Sequence, residues 1–118
     1  MDRLRFVTHR GQRILLMDLT DCTAEEVALV ADRTPPIVTQ EPKGSLLIVT
    51  DFSGAHFDRN AVERIKIAAA IDRPYIKRSA WVLAENLPKA LYESIRSFSA
   101  REFPIFATRD EALDHVTS

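Results

Sequence analysis

The sequence predicts one α/β domain, with an N-terminal antiparallel hairpin followed by alternating helices and strands in a mixed, mostly parallel five-stranded sheet with about four helices. Two observations predict this class. Apolar runs of strand length alternate along the chain with amphipathic segments of helix length. The 118 residues also suit a single core, since two domains would each be too short to fold independently. We therefore expect one domain over residues 1–118, with one site or contact face.

The first element is a hairpin. Arg3 to Thr8 and Gln12 to Leu19 are two strand-like runs. Gly11 lies between them and can adopt the positive φ that a tight reversal requires. We predict that the two runs pair antiparallel.

A first helix follows, and its start is marked by a capping box. Thr23 and Glu26 have the spacing in which hydroxyl and carboxylate satisfy each other's free backbone amides. Pro35 and Pro36 interrupt the segment, because neither ring nitrogen can donate a hydrogen bond. We predict a break or kink there.

The remaining elements alternate between strand and helix. The unbroken apolar run from Leu46 to Val49 is typical of a strand covered on both faces, so we place it at the centre of the sheet. Because strands separated by helices need crossover connections, the sheet should be largely parallel. The later elements are a loop over Asp51 to Phe57, helices from about Arg59 to Ile71 and from about Leu87 to Ala100, strands from about Ser79 to Leu83 and near Ile105, and a last helix opening with the capping box of Thr108 and Glu111.

Charge and cysteine content exclude several function classes. A formal net charge of -1, with both signs spread along the chain, gives no field that would gather phosphates, so nucleic acid is not an expected partner. The single Cys22 cannot form an internal disulfide. No run approaches the roughly 20 apolar residues that a membrane span needs, and the N-terminal residues lack an apolar signal core. We expect a cytoplasmic protein without an integral membrane segment.

The segments LLIVTDFSGAHFD and IFATRDEALDHV, together with the hairpin and the strand–helix units, resemble the SpoIIAA-like members of the STAS superfamily. The resemblance covers nearly the whole chain. In that family the third strand typically ends in an Asp-Leu-Ser-Gly type turn, and the domain ends in a pattern matched by Phe106, Thr108, Glu111 and Ala112. The resemblance implies a STAS-like fold and a regulatory, binding role. The fold is also similar to lipid-carrying SEC14-type domains, which implies a small hydrophobic ligand as the alternative.

The chain departs from the family's phosphorylation switch. In anti-sigma-factor antagonists of this superfamily, the start of the next helix carries the serine that a partner kinase phosphorylates. Asn60 and Ala61 stand at that place here, and neither side chain can accept a phosphoryl group. We therefore predict a STAS-type module without the phosphoserine switch.

The most chemically varied segment follows the central strand. Asp51, Ser53, Gly54, His56 and Asp58 lie where loops diverge at the carboxyl end of an open sheet, the usual ligand position in α/β proteins. Ser, His and Asp also permit a hydrolase hypothesis, but no G-x-S-x-G elbow is present. The structural alternative assigns the first three residues to a turn and the last to a helix N-cap. We predict no catalytic residue, no cofactor and no metal site.

The following helix is apolar on more than one side. Val62, Ile65 and Ala69 form one stripe, while Ile67 and Ile71 point away from it. An exposed second face favours docking on a protein partner or on a second copy as a homodimer. The alternative is that a neighbouring element covers it. The predicted contact surface comprises Asp51, Ser53, Gly54, His56, Asp58, Asn60, Ile67 and Ile71.

Four aromatic side chains could line a pocket for a small hydrophobic ligand, because aromatic walls with polar tips suit such molecules. They are Tyr75, Trp81, Tyr92 and Phe98. Core packing is the alternative, since the helical spacing around Leu91 and Ile95 is that of a buried face. The sequence thus predicts a non-enzymatic interaction module first, a small-ligand carrier second and a small hydrolase last.

Overall fold

The predicted N-terminal hairpin is present, with Gly11 in its turn. The computed structural model describes residues 2–118, in which β1, Leu4–His9, pairs antiparallel with β2, Gln12–Asp18. Arg10 and Gly11 form the two-residue turn, and both have positive φ, 52° and 76°, as a type I′ hairpin turn requires.

The elements after the hairpin alternate between helix and strand, with strand order β1-β2-β3-β4-β5 in one sheet. All neighbours from β2 to β5 pair parallel. The predicted mixed, mostly parallel five-stranded sheet with four helices is therefore confirmed for the described residues. The elements are α1, Ala24–Val38; β3, Leu46–Asp51; α2, Arg59–Asp72; a 3-10 turn, Arg73–Tyr75; β4, Ile76–Val82; α3, Lys89–Ser99; β5, Ile105–Phe106; and α4, Arg109–Thr117.

The helix starts follow the capping signals. Thr23 accepts a hydrogen bond from the Glu26 amide, and Glu26 Oε1 accepts one from the Thr23 amide, which completes the predicted capping box. Asp58 caps α2 by accepting from the Ala61 amide at 2.7 Å. Thr108 caps α4 in the same way.

The predicted break at Pro35 and Pro36 is wrong. Helix α1 continues through both prolines to Val38. Without N–H groups, the prolines cannot donate to the Ala31 and Asp32 carbonyls one turn earlier, but the helix is closed beyond them: Thr39 donates to the Pro35 carbonyl from its backbone and from its hydroxyl, both at 2.9 Å. The helix therefore ends beyond the prolines and not before them.

Helices cover both faces of the sheet. Helices α1, α2 and α3 form a layer on one face, where Leu19, Phe52 and Trp81 belong to the larger part of the core. Helix α4 packs on the opposite face against side chains such as Val49. All six residues of β3 are buried, as predicted for a strand covered on both sides.

The edge formed by β4 is only partly paired. Strand β5 contributes two residues, which pair with Trp81 and Val82. Along residues 76–80, no strand among the described residues pairs with this side of β4. The sheet therefore has an open edge between the α3–β5 loop and α4.

None of the helices within residues 2–118 combines the length and the apolar character that crossing a membrane would demand.

Candidate functional site

Two matching turns end the neighbouring strands β2 and β3. Asp18 and Asp51 lie opposite each other in the parallel register. Asp18 Oδ1 accepts from the Thr20 amide at 3.1 Å and from its hydroxyl at 2.6 Å. Asp51 Oδ1 accepts from the Ser53 amide at 3.0 Å and from its hydroxyl at 2.5 Å. Each carboxylate thus closes a turn of the kind in which Asp bonds the backbone two residues on.

Arg109 joins the two carboxylates. Its Nε donates to Asp51 Oδ2 at 2.9 Å, and its Nη2 lies 2.8 Å from Asp51 Oδ2 and 3.5 Å from Asp18 Oδ1. Both carboxylates are buried and the arginine is partly exposed. Because Arg109 opens α4, this ion cluster fixes the start of that helix against the ends of the two central strands.

Asp18 also faces two arginines of the N-terminal segment. The guanidinium nitrogens of Arg3 and Arg5 lie 3.8 Å and 3.3 Å from its oxygens. Burial raises the pKa of Asp18, but the hydrogen bonds from Thr20 and the positive charge of Arg109 outweigh burial and bring the pKa below its ordinary value. Asp18 is therefore held as a carboxylate.

The two turns are also bonded to each other. The Asp21 amide donates to the Ser53 carbonyl at 2.8 Å, and the His56 amide donates to the Cys22 carbonyl at 3.0 Å. Gly54 has a φ of 71°, and a β-carbon at this position would overlap Asp21 Oδ1. The two bonded turns form a double turn. Gly54 is required in it for two reasons: its φ is positive, and the Asp21 side chain occupies the place of a β-carbon.

We expect Gly54→Ala to lower the free energy of unfolding by about 1–2 kcal/mol, because alanine is strained at positive φ and displaces the Asp21 side chain. Urea denaturation measures this. Gly44→Ala is the matched control: Gly44 also has positive φ, 71°, but a β-carbon added there would meet nothing within 4 Å, so its cost should be smaller. Equal costs at the two positions would contradict the close-approach argument.

The loop places the predicted surface residues in different roles. Asp51 and Ser53 close the turn, Gly54 supplies the backbone conformation and Asp58 caps α2. Because the Ser53 hydroxyl donates to Asp51, its proton is directed at a carboxylate that is already paired with arginine. This geometry matches the structural alternative and does not favour the hydrolase hypothesis. His56 and Asn60 are exposed beside the turn.

Ile67 and Ile71 lie one turn apart on the outer side of α2, 41% and 46% exposed. No neighbouring element covers them within the described part of the chain. The next helix adds another exposed apolar side chain, Phe98, whose ring lies 5.0 Å from the Lys66 ammonium of α2. We call Ile67, Ile71 and Phe98 the α2–α3 apolar surface.

The four predicted pocket aromatics do not come together. Trp81 is buried and stacks on Phe103 with ring centroids 4.4 Å apart, and Tyr92 packs edge-on against it at 5.4 Å. Phe98 belongs to the exposed surface just described, and Tyr75 packs with a separate group of core residues. Trp81 alone of these four borders an internal cavity.

That cavity lies between the helix layer and the sheet and has a volume of about 40 Å³. Pockets for drug-sized ligands measure roughly 300–1,000 Å³, whereas one water molecule needs about 10–15 Å³. The cavity therefore suits a few water molecules, and it does not favour a lipid-sized ligand. Its wall is mainly apolar, with a polar end formed by Asp72, Ser79 and Arg101.

Asp72 is the polar group that the cavity leaves unsatisfied. It is 2% exposed, and its Oδ1 has no hydrogen-bond partner among the described residues. Burial raises the pKa of Asp72 to about 7, although the nearby charge of Arg101 acts in the opposite direction. Burial likewise lowers the pKa of Arg101 to about 10. Arg101 donates to the Ala69 carbonyl at 3.1 Å and to the Ser79 hydroxyl at 2.5 Å.

Sequence reasoning missed the partners of the loop and the buried carboxylate. A signal for the first was present, since Asp18-Leu19-Thr20 repeats the Asp-apolar-hydroxyl pattern of Asp51-Phe52-Ser53. Asp72 continues the buried spacing of Ile65 and Ala69 on α2. Nothing in the spacing indicates that Arg109 reaches Asp51.

No group of three or more His, Cys, Asp or Glu side chains within residues 2–118 is arranged to hold a metal ion. Comparison with known proteins finds no matching family model, no matching curated protein and no matching solved structure.

Proposed function

We propose that this chain is a non-enzymatic regulatory or protein-interaction module of STAS type without the phosphoserine switch. Its contact surface is the loop from Asp51 to Asp58 together with the outer face of α2. The observation that carries this proposal is the exposure of Ile67 and Ile71 on a helix whose opposite face is buried. Adjacent exposed branched apolar side chains on one regular element are typical of a contact site.

The loop beside this face supports the same function. Its shape is fixed by the double turn and by the Arg109 ion cluster, so a partner would meet a surface that is already ordered. His56 and Asn60 are exposed next to it and can donate and accept hydrogen bonds at the rim of a contact. The polar loop thus complements the apolar helix face.

The partner is a protein. Binding to a second copy of this chain is tested first, because that experiment needs no other protein. The single buried cysteine and the balanced charge of this chain favour a reducing, cytoplasmic location for the chain and its partner.

We expect the double substitution of Ile67 and Ile71 with Asp to weaken self-association at least about 100-fold, because each contact would then bury carboxylates without partners. Sedimentation equilibrium over a range of concentrations measures this. Ile105→Asp is the matched control, since Ile105 is 50% exposed on β5, away from α2. Circular dichroism should show all three proteins folded.

If the wild type is a monomer at all concentrations, the three proteins serve as baits for the partner in extracts of the source cells. The double variant should then lose a protein that the wild type and the Ile105 variant both retain. Equal self-association and equal partner recovery by all three proteins would reject the proposal.

A further inference from the structure

The open edge of β4 lies in a groove of about 670 Å³. Its floor is the start of β4, and its walls are the α3–β5 loop and α4. At a strand rise of about 3.3 Å per residue, the edge from Ile76 to Ser79 has room for about three to four residues of an added strand. The charged and titratable side chains lining the groove are Arg73, Lys77, Arg78, Arg101, Glu102 and His115.

The backbone of β4 presents unpaired groups to this groove. Trp81 N–H donates to the Pro104 carbonyl at 2.8 Å and Leu83 N–H donates to the Phe106 carbonyl at 3.0 Å, both on the β5 side. Because backbone groups of alternate residues point to the same side of a strand, those of Ser79 also face that side, whereas a shift of the β3–β4 register interrupts the alternation at Lys77. Strand β5 does not extend to Ser79.

Only part of the positive charge of the groove is neutralised. Arg101 is compensated by the neighbouring Asp72, and Arg78 donates to the main-chain oxygens of His115 and Ser118, but Arg73 and Lys77 form no ion pair within the described part of the chain. Glu102, the one carboxylate in the groove, pairs with Arg96 outside it at 3.2 Å. The groove is therefore a positive site in a chain whose formal net charge is -1.

We propose that this groove binds an extended acidic peptide segment of a partner protein, which adds to β4 as a further strand. The backbone edge supplies the main-chain hydrogen bonds of such a complex, and the arginine and lysine side chains select acidic residues. The groove shares no lining residue with the α2–α3 apolar surface, so the proposal does not depend on the function proposed above.

A second copy of this chain is a poor occupant. The other free edge of the sheet is β1, which carries Arg5 and is preceded by Arg3. No residue of β1 is acidic, so this edge offers the groove no carboxylate, and pairing two β4 edges would bring Lys77 and Arg78 of both copies together, which opposes sheet association. Lys77 and Arg78 thus protect the edge against self-assembly while they leave it open to an acidic strand.

The test is titration of the ¹⁵N-labelled protein with three capped six-residue peptides. The first alternates valine and glutamate, the second replaces two of its valines with proline, and the third alternates valine and lysine. We expect the first alone to bind, and to slow hydrogen exchange of the Ser79 amide at least about tenfold. The proline peptide keeps the charge but cannot complete the ladder.

Lys77→Glu should weaken binding of the acidic peptide about tenfold, whereas Lys89→Glu, an exposed change on α3 outside the groove, should leave it unaltered. Equal binding of the proline peptide would overturn the proposal, because charge alone would then account for binding. Unchanged exchange at Ser79, or no binding of the acidic peptide, would overturn it as well.

Discussion

Arg109→Ala is expected to lower the free energy of unfolding by about 2–3 kcal/mol at pH 7, between the effect of an exposed ion pair and that of a fully buried one. The substitution leaves the buried Asp51 carboxylate without any cationic partner among the described residues, while Asp18 keeps Arg3 and Arg5. It also releases α4 from the ends of the two strands. Urea denaturation monitored by the fluorescence of Trp81 measures the loss.

The matched control for this change is Arg5→Ala. Among carboxylates, Arg5 contacts only Asp18, which retains Arg3, Arg109 and the Thr20 bonds, so the loss should stay below about 1 kcal/mol. Replacing Asp51 with Asn in the Arg109→Ala protein should recover part of the stability, since it removes the unpaired charge. Equal losses for the two arginines, or no recovery with Asn, would show that the cluster does not stabilise the strand ends.

The stability lost in Arg109→Ala should also depend on pH and become smaller in acid. The pKa of Asp18 is lowered in the folded protein, so its ionised form contributes stability above its unfolded pKa of about 3.8. That contribution is lost as the pH falls through the folded pKa. The difference between wild type and Arg109→Ala should therefore shrink below about pH 4.

Asp72→Asn is expected to raise the free energy of unfolding by about 1–2 kcal/mol at pH 8. Asp72 is the opposite case to Asp18, because burial raises its pKa from 3.8 to about 7 and its ionised form has no hydrogen-bond partner at Oδ1 among the described residues. Asparagine keeps the shape without the charge. The gain in the free energy of unfolding is smaller than the cost of burying the Asp72 carboxylate. The side-chain amide of asparagine is still a buried polar group, and Arg101 loses a neighbouring negative charge.

The pH dependence distinguishes this cause from better packing. A carboxyl group whose folded pKa is raised contributes stability that is complete below its unfolded pKa and is lost as the pH rises through the folded pKa. A rise from 3.8 to about 7 corresponds to a loss of about 4 kcal/mol between roughly pH 4 and pH 8. Because this loss exceeds the gain of about 1–2 kcal/mol expected at pH 8, Asp72→Asn should be less stable than the wild type near pH 4 and more stable at pH 8.

Arg101→Met tests the same pair from the other side. It removes the charge that partly compensates Asp72, so it should destabilise the protein more at pH 8 than at pH 5. A loss of stability at pH 8 in Asp72→Asn would contradict the prediction, and would mean that the ionised carboxylate has a stabilising partner such as ordered water.

The elements and their order follow from local signals in the sequence. The glycine of the hairpin, the capping box at Thr23, the N-cap at Thr108 and the apolar run at Leu46 to Val49 act within a few residues, so local chemistry was enough to place them. The same local rules did not predict that α1 continues through Pro35 and Pro36, because the end of the helix also depends on bonds beyond the prolines, such as those from Thr39 to the Pro35 carbonyl.

The site, in contrast, depends on contacts between distant parts of the chain. Arg109 lies 58 residues from Asp51 in sequence, and packing of α4 on the sheet brings them together. The same packing divides the predicted aromatic pocket among three places, leaves Asp72 Oδ1 without a hydrogen-bond partner among the described residues and leaves β5 too short to close the β4 edge. Each of these facts depends on distances between elements, which are fixed by burial of the whole core and not by the spacing of residues within one element.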